Sequence, residues 1–226
     1  MGTDTDSTDV SSTKVTSTAT AGVPAKPRGR PRDPLIEDAI LRATRHRLAV
    51  DGYTRMTIGD IAADAGVTRP TVYRRWPTKH DLVIDALDYG FRAEQATNPP
   101  LDLDTMSPRD ALIEAVRRLN PRAHHPTGIM LIGHMLAEAA HNPGLLELVR
   151  VHAVHPRQQQ FIATFRALQD RGTLRPDLNL DIIADLCTGS YIAAFLRTGD
   201  DADNLPPRIV DTLWPTIKAS RTGGLL

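Results

Sequence analysis

TIGDIAADAGVTRPTVYRRWPTKHD, residues 57–81, holds two short helices joined by a glycine turn. Thr57 is placed to cap the first, with Asp60 at its third position, and Ile58, Ile61, Ala62 and Ala65 repeat at helical spacing. Gly66 tolerates the left-handed backbone that ends a helix, Val67 pins the turn, and Thr68 is placed to cap the second helix. Pro70 falls in that helix's first turn, where a missing amide hydrogen costs little. At 100° per residue Val72 and Trp76 share one face, which leaves Arg69, Thr71, Tyr73 and Arg74 away from it.

One face packs and the other is free, which is how a helix-turn-helix presents its second helix to the major groove. Thr and Arg side chains reach base edges there, and Tyr reaches phosphate or base. A third helix opens at Thr78 with Asp81 as capping acid, and its free amides together with Lys79 suit a backbone phosphate. Two short capped helices that merely pack in an all-α domain read the same way on these residues alone.

The stretch Leu35–Leu87 resembles the DNA-binding domain of the TetR family of bacterial transcriptional regulators. The resemblance rests on Gly52-Tyr53, Thr57-Ile58, Asp60-Ile61-Ala62, Ala65-Gly66-Val67, Thr71-Val72-Tyr73-Arg74-Arg75-Trp76 and Lys79-His80-Asp81-Leu82, in order and spacing. Trp76 stands where the family more often has Phe. The resemblance implies an all-α protein, with an N-terminal three-helix reading head and a C-terminal helical domain for ligand binding and dimerisation. It implies a homodimer on a palindromic, double-stranded operator, repressing a neighbouring gene until a small-molecule effector releases it. The DNA-binding residues expected on this basis are Thr57, Thr68, Arg69, Thr71, Tyr73, Arg74 and Lys79.

Composition agrees with a DNA binder once it is divided along the chain. The formal net charge is zero, yet residues 26–80 carry 12 Lys and Arg against 6 Asp and Glu, leaving 15 against 21 elsewhere. Phosphate binding follows local potential, and an acidic remainder discourages adhesion through other faces. Residues 1–25 are rich in Thr, Ser and Asp and read as a disordered leader. They end in a basic arm, residues 26–33, where Arg28, Arg30 and Arg32 are spaced by Pro and Gly for a narrow minor groove, or form a solvated tail. Arg45 and Arg47 follow on the first helix, either flanking the DNA surface or solvated.

The expected division is a reading head at 34–80, a connecting helix at 81–100 and a C-terminal domain at 101–226. In the last, helices are expected from Ser107 to about Asn120, from Thr127 to His141, from Asn142-Pro143 to Gly172 with a break at Pro156, from Asp181 to about Thr198, and from about Pro206 to Ala219. The second of these is apolar nearly all round and is expected at the centre of the domain. Met130, His134 and Met135 on one side of it, with Phe165 and Tyr191 as walls, are the candidate effector contacts; packing the core is the plainer use of the same residues. The resemblance implies that the last two helices form the dimer interface, which makes Leu186, Gly189, Ser190, Ala193, Ala194, Ile209 and Leu213 the candidates, although Pro215 disturbs the final helix.

Other function classes find little support. The single cysteine, Cys187, excludes an internal disulfide framework, and no leader or long apolar run signals export or a membrane span, so a cytoplasmic protein is expected. Six of eight histidines lie between His124 and His155, but no Cys or carboxylate completes a ligand set beside pairs such as His152 and His155, so no metal or cofactor is expected. An all-α enzyme, such as a hydrolase with a histidine as general base, finds no strong support, since the sequence contains no nucleophile elbow, phosphate loop or dinucleotide fingerprint. A DNA-binding regulator without an effector is the remaining alternative.

Overall fold

The computed structural model describes residues 33–122, 127–199 and 204–219. It is all-α: among these residues the only β pairing is an isolated bridge between Leu174 and Lys218. The three arginines of the basic arm, Arg28, Arg30 and Arg32, lie outside the described residues.

Helix α1 (Pro34–Val50) starts where Asp33 accepts the Leu35 amide at 3.0 Å and Pro34 supplies a first-turn residue with no amide hydrogen to satisfy. Gly52, at φ +77°, turns the chain into the single turn α2 (Gly52–Arg55). Helix α3 (Ile58–Asp64) is capped by Thr57, whose hydroxyl accepts the Asp60 amide at 3.1 Å and donates to its carboxylate at 2.6 Å. Gly66, at φ +65°, closes it: the Val67 amide reaches the Ala62 carbonyl and the Gly66 amide that of Ala63, the crossed pair that satisfies orphan carbonyls at a helix end. Helix α4 (Arg69–Tyr73) follows, and α5 (Lys79–Thr97) repeats the Thr57 cap with Thr78 and Asp81.

Helix α6 (Pro108–Arg118) opens on the same arrangement, Ser107 with Asp110. Then come α7 (Gly128–Ala139), α8 (Pro143–Val149), a π-helical turn (Arg150–Val154), α9 (His155–Asp170), α10 (Leu180–Thr198) and α11 (Leu205–Ile217). The break expected at Pro156 takes the form of that π turn: proline has no amide to donate, and a wide turn ahead of it absorbs the lost bond without ending the rod. Pro215 does not shorten α11, which runs through it to Ile217.

The buried side chains form two clusters. One joins α6, α9, α10 and α11 through Leu112, Val116, Phe165, Leu168, Cys187 and Val210. The other joins α1, α3, α4 and α5 through Ile40, Leu48, Ile61, Val72, Trp76 and Leu82, and it also takes Met135 of α7 with Leu145, Leu148 and Val149 of α8. The apolar helix α7 is therefore not central to the C-terminal bundle. Met135 is its one buried side chain, while Leu136 and Met130 stay exposed. The helix lies along α1 and α2 by one edge. None of the described helices is long and apolar enough to cross a membrane.

Candidate nucleic-acid interface and cavity

Val72 and Trp76 are buried, and α4 turns the opposite side outward, with Arg69, Pro70, Arg74 and Tyr73 exposed, Tyr73 to 51%. Thr57 and Thr68 are exposed and Thr71 is half-buried beside them. The Thr68 hydroxyl does not cap α4 by accepting an amide; it lies 3.0 Å from the Thr71 hydroxyl. The Thr71 amide, at the third helical position that the Thr57 and Thr78 caps use, donates instead to the Thr68 carbonyl at 2.9 Å. The Arg69 guanidinium lies across Gly59 of α3, where a β-carbon would collide with it. Trp76 donates through Nε1 to Asp85 of α5 at 2.7 Å, which fixes the angle between α4 and α5.

Lys79 is placed differently from the phosphate contact expected of it. Its ammonium donates to the Tyr53 carbonyl at 2.7 Å and, more distantly, to that of Met56 at 3.4 Å, and it lies 4.4 Å from the centre of the Tyr53 ring. It closes the end of α2 rather than pointing to solvent, and burial pushes its pKa down. Arg47 is also engaged: it grips Asp64 with two hydrogen bonds, at 2.6 and 2.8 Å, and reaches Asp51 at 3.1 Å. These bonds hold Asp64 below, and Arg47 above, their ordinary ranges.

Arg45, two residues earlier, points into a cavity of about 170 Å³ bounded by α1, α5, α7, the π turn, α9 and α10. The walls are largely apolar, with Leu48, Ala49, Leu87, Leu131, Ile132 and Val149 among them, and Arg45, Glu94 and Arg157 form a polar end. None of the five expected effector contacts lines it. Met130 is exposed, Met135 packs in the head's core, and the His134 ring lies 3.2 Å from the Val50 carbonyl. Phe165 packs in the other core, where Tyr191 donates to the Val116 carbonyl at 2.9 Å. The helix holding the first three packs on the head instead of crossing the bundle. A second cavity, about 340 Å³, lies between α6 and α9 on the far side of Arg157.

On α10, Ile182, Leu186, Gly189, Ala193 and Leu196 lie exposed along one side, at steps of three and four. Ser190 is half-buried with its hydroxyl turned back to the Leu186 carbonyl. Two expected interface residues, Ala194 and Ile209, are instead buried within the protomer's own core, and Leu213 packs against it. They sit on the inner faces of α10 and α11. Ile182, four residues before Leu186, extends the exposed stripe beyond the residues expected from the sequence.

Comparison with known proteins agrees with this architecture. Residues 40–86 match the model of bacterial regulatory proteins of the tetR family, and residues 102–213 that of the tetracyclin repressor-like C-terminal domain. An HTH-type transcriptional regulator of Mycobacterium tuberculosis is 31% identical over 198 residues, 84% of this chain and 94% of that one. The DNA-binding transcriptional repressor TetR of Mycobacteroides abscessus is 28% identical over 175 residues, 76% of this chain and 88% of that one. A transcriptional regulator from Saccharomonospora viridis, solved in complex with choline, superposes with a TM-score of 0.62 at 22% identity, covering 83% of this chain and all of that one. A TetR-family regulator from Mesorhizobium loti gives 0.66 at 16% identity, over 84% of this chain and all of that one. The chain belongs to the TetR family of bacterial DNA-binding transcriptional regulators.

Proposed function

We propose that this protein is a repressor that binds a palindromic operator as a homodimer and leaves it when a small molecule enters the α1/α5/α9 cavity. The observation that carries the reading is the outward face of α4. Arg69, Thr71, Tyr73 and Arg74 project from a helix whose other side is anchored by Val72 and by the Trp76–Asp85 bond. In this reading residues 34–80 form the head, 81–100 the connecting helix and 101–226 the regulatory part, working in the cytoplasm where the operator is. Thr57 and Thr68 stand at exposed helix starts beside the same face, suited to phosphate.

A single head contacts too few bases for a useful specificity ratio in a genome, and a two-fold assembly doubles both base and phosphate contacts. The exposed apolar stripe of α10, with Leu186 at its centre, supports pairing through that helix. Release by a ligand requires that the ligand bind the DNA-free arrangement better than the bound one. The cavity's position between α1 of the head and α9 suits that role.

Selection of duplexes from a random pool by the full chain tests the reading. Enrichment of an inverted repeat whose half-sites lie about one helical turn apart, or a multiple of it, is expected. Recovery of duplexes with no shared sequence would refute it.

A further inference from the structure

The polar end of the first cavity is unevenly matched. Arg157 is well held: it pairs with Glu94, donates to the Ala153 carbonyl and lies 5.5 Å from the centre of the Phe91 ring. Arg45 is not. Its nearest carboxylate oxygen is Glu94 Oε1 at 3.9 Å, and no hydrogen-bond acceptor meets it among the described residues. A guanidinium has five N–H donors, and those of Arg45 are left open toward the cavity, without a protein acceptor among the described residues. The Arg45 side chain is 19% exposed and that of Glu94 11%. Burial pushes the Arg45 pKa down, without removing the charge of an arginine.

Two guanidiniums therefore face one carboxylate at the polar end of this largely apolar space. Asp185, on the α10 wall, is exposed and makes no ion pair among the described residues, so water screens its charge from this end. The berth of Arg45 is shaped for it: the guanidinium crosses Gly90 of α5, where a β-carbon would collide with it.

Resting on the reading of this cavity as the effector site, we propose that it takes an amphipathic organic anion, a carboxylate on an apolar body, with the carboxylate docked on Arg45 beside Arg157. A planar carboxylate accepts two parallel N–H bonds from one guanidinium, which no neutral oxygen matches. The apolar walls, Leu48, Leu87, Leu131 and Val149 among them, cover the body of the ligand. An ammonium ligand would meet two like charges. Because Arg45 belongs to α1, the ligand's charged group fastens directly to the reading head, and its tail to α7 and the π turn.

The test uses the full chain and calorimetric titration with octanoate, decanoate and 4-butylbenzoate. Each is set beside its alcohol, and decyltrimethylammonium serves as the cationic comparator. At least one carboxylate is expected to bind saturably, one per protomer, about tenfold or more tighter than its alcohol and tighter than the ammonium. Arg45→Gln should erase that preference while alcohol binding persists, and Arg45→Lys should restore only part of it, because an ammonium lacks the planar fork. Glu94→Gln, which removes the competing carboxylate, should tighten carboxylate binding several-fold, and it serves also if Arg45→Gln fails to fold.

Absence of binding by all three carboxylates, equal binding of alcohol or ammonium, or undiminished affinity in Arg45→Gln overturns the proposal. So does weakened binding in Glu94→Gln. Selection of an operator without any carboxylate response would sink this inference and leave the regulator reading standing. Carboxylate binding by a protein that selects no DNA sequence would do the reverse.

Discussion

Glu138 of α7 accepts both the backbone amide of Thr54, at 3.1 Å, and its hydroxyl, at 2.8 Å, so one carboxylate stitches the first turn after α1 to a helix 84 residues later. Gly52 makes the approach possible, since a β-carbon there would collide with that carboxylate and press on the His134 ring. Glu138→Ala should cost about 1–2 kcal/mol, the usual loss for hydrogen bonds to a charged group at a partly exposed site. Urea unfolding of the variant beside the parent chain gives the value directly, and an unchanged midpoint would contradict it.

Tyr73→Ala is expected to lower operator affinity by roughly 1–3 kcal/mol, about five- to 150-fold, with a smaller effect on random duplex. Lys79→Met should behave otherwise. Its ammonium is spent on the Tyr53 and Met56 carbonyls, so the variant should lose about 1 kcal/mol or more of stability and keep the salt slope of DNA binding. Binding isotherms at several salt concentrations separate the two behaviours, and a slope lowered by about one charge in the Lys79 variant would restore the phosphate role.

Leu186→Glu places a carboxylate in the middle of the exposed α10 stripe, where Leu186 is 55% and Leu196 79% exposed. In a pairing through that helix the charge meets its own copy across the two-fold axis, and dissociation follows. Light scattering should report a monomer that still folds, because the side chain touches little of its own protomer. A persistent dimer would move the interface elsewhere.

Cys187 is fully buried, and desolvation pushes its thiol up to about 12. At pH 8 the thiolate fraction is then on the order of 10⁻⁴, so the native protein should resist a disulfide reagent that labels the urea-unfolded chain within seconds. Rapid labelling of the folded protein would mean that α10 opens readily.

Asp64 gives a pH signature of its own. Its hydrogen bonds from Arg47 hold its folded pKa below the unfolded value of 3.8, so the pair contributes fully above that value and loses its contribution as pH falls through the lower folded one. The site is largely solvated, so the effect is small. Asp64→Asn should flatten the acid limb of the stability curve below about pH 4 and leave the curve's shape at neutral pH alone.

What the sequence made legible is what is settled within a few residues. The caps at Thr57, Thr78 and Ser107 each find an acid three positions on, and Val72 with Trp76 follows from helical period alone. The placement of Lys79 is not legible locally, because its partner, the Tyr53 carbonyl, lies 26 residues away. Arg45 and Arg47 are alike in sequence, yet one enters a cavity and the other binds Asp64, a choice made by the packing of α1 on α5 and α3. For α7, apolar side chains all round suggested a central helix. Only the edge bearing Met135 is enclosed, because burial depends on which neighbours arrive and periodicity cannot supply them.

The π turn ahead of Pro156 also sets rotational phase. Side chains four apart on a regular helix drift by about 40° per step, so Val149, Ala153 and Arg157 would fan out by about 80° on an unbroken rod. All three line the same cavity, because the wider coil between them takes up that drift. Removing one residue from that coil would swing the second arginine off the wall while leaving every helix intact.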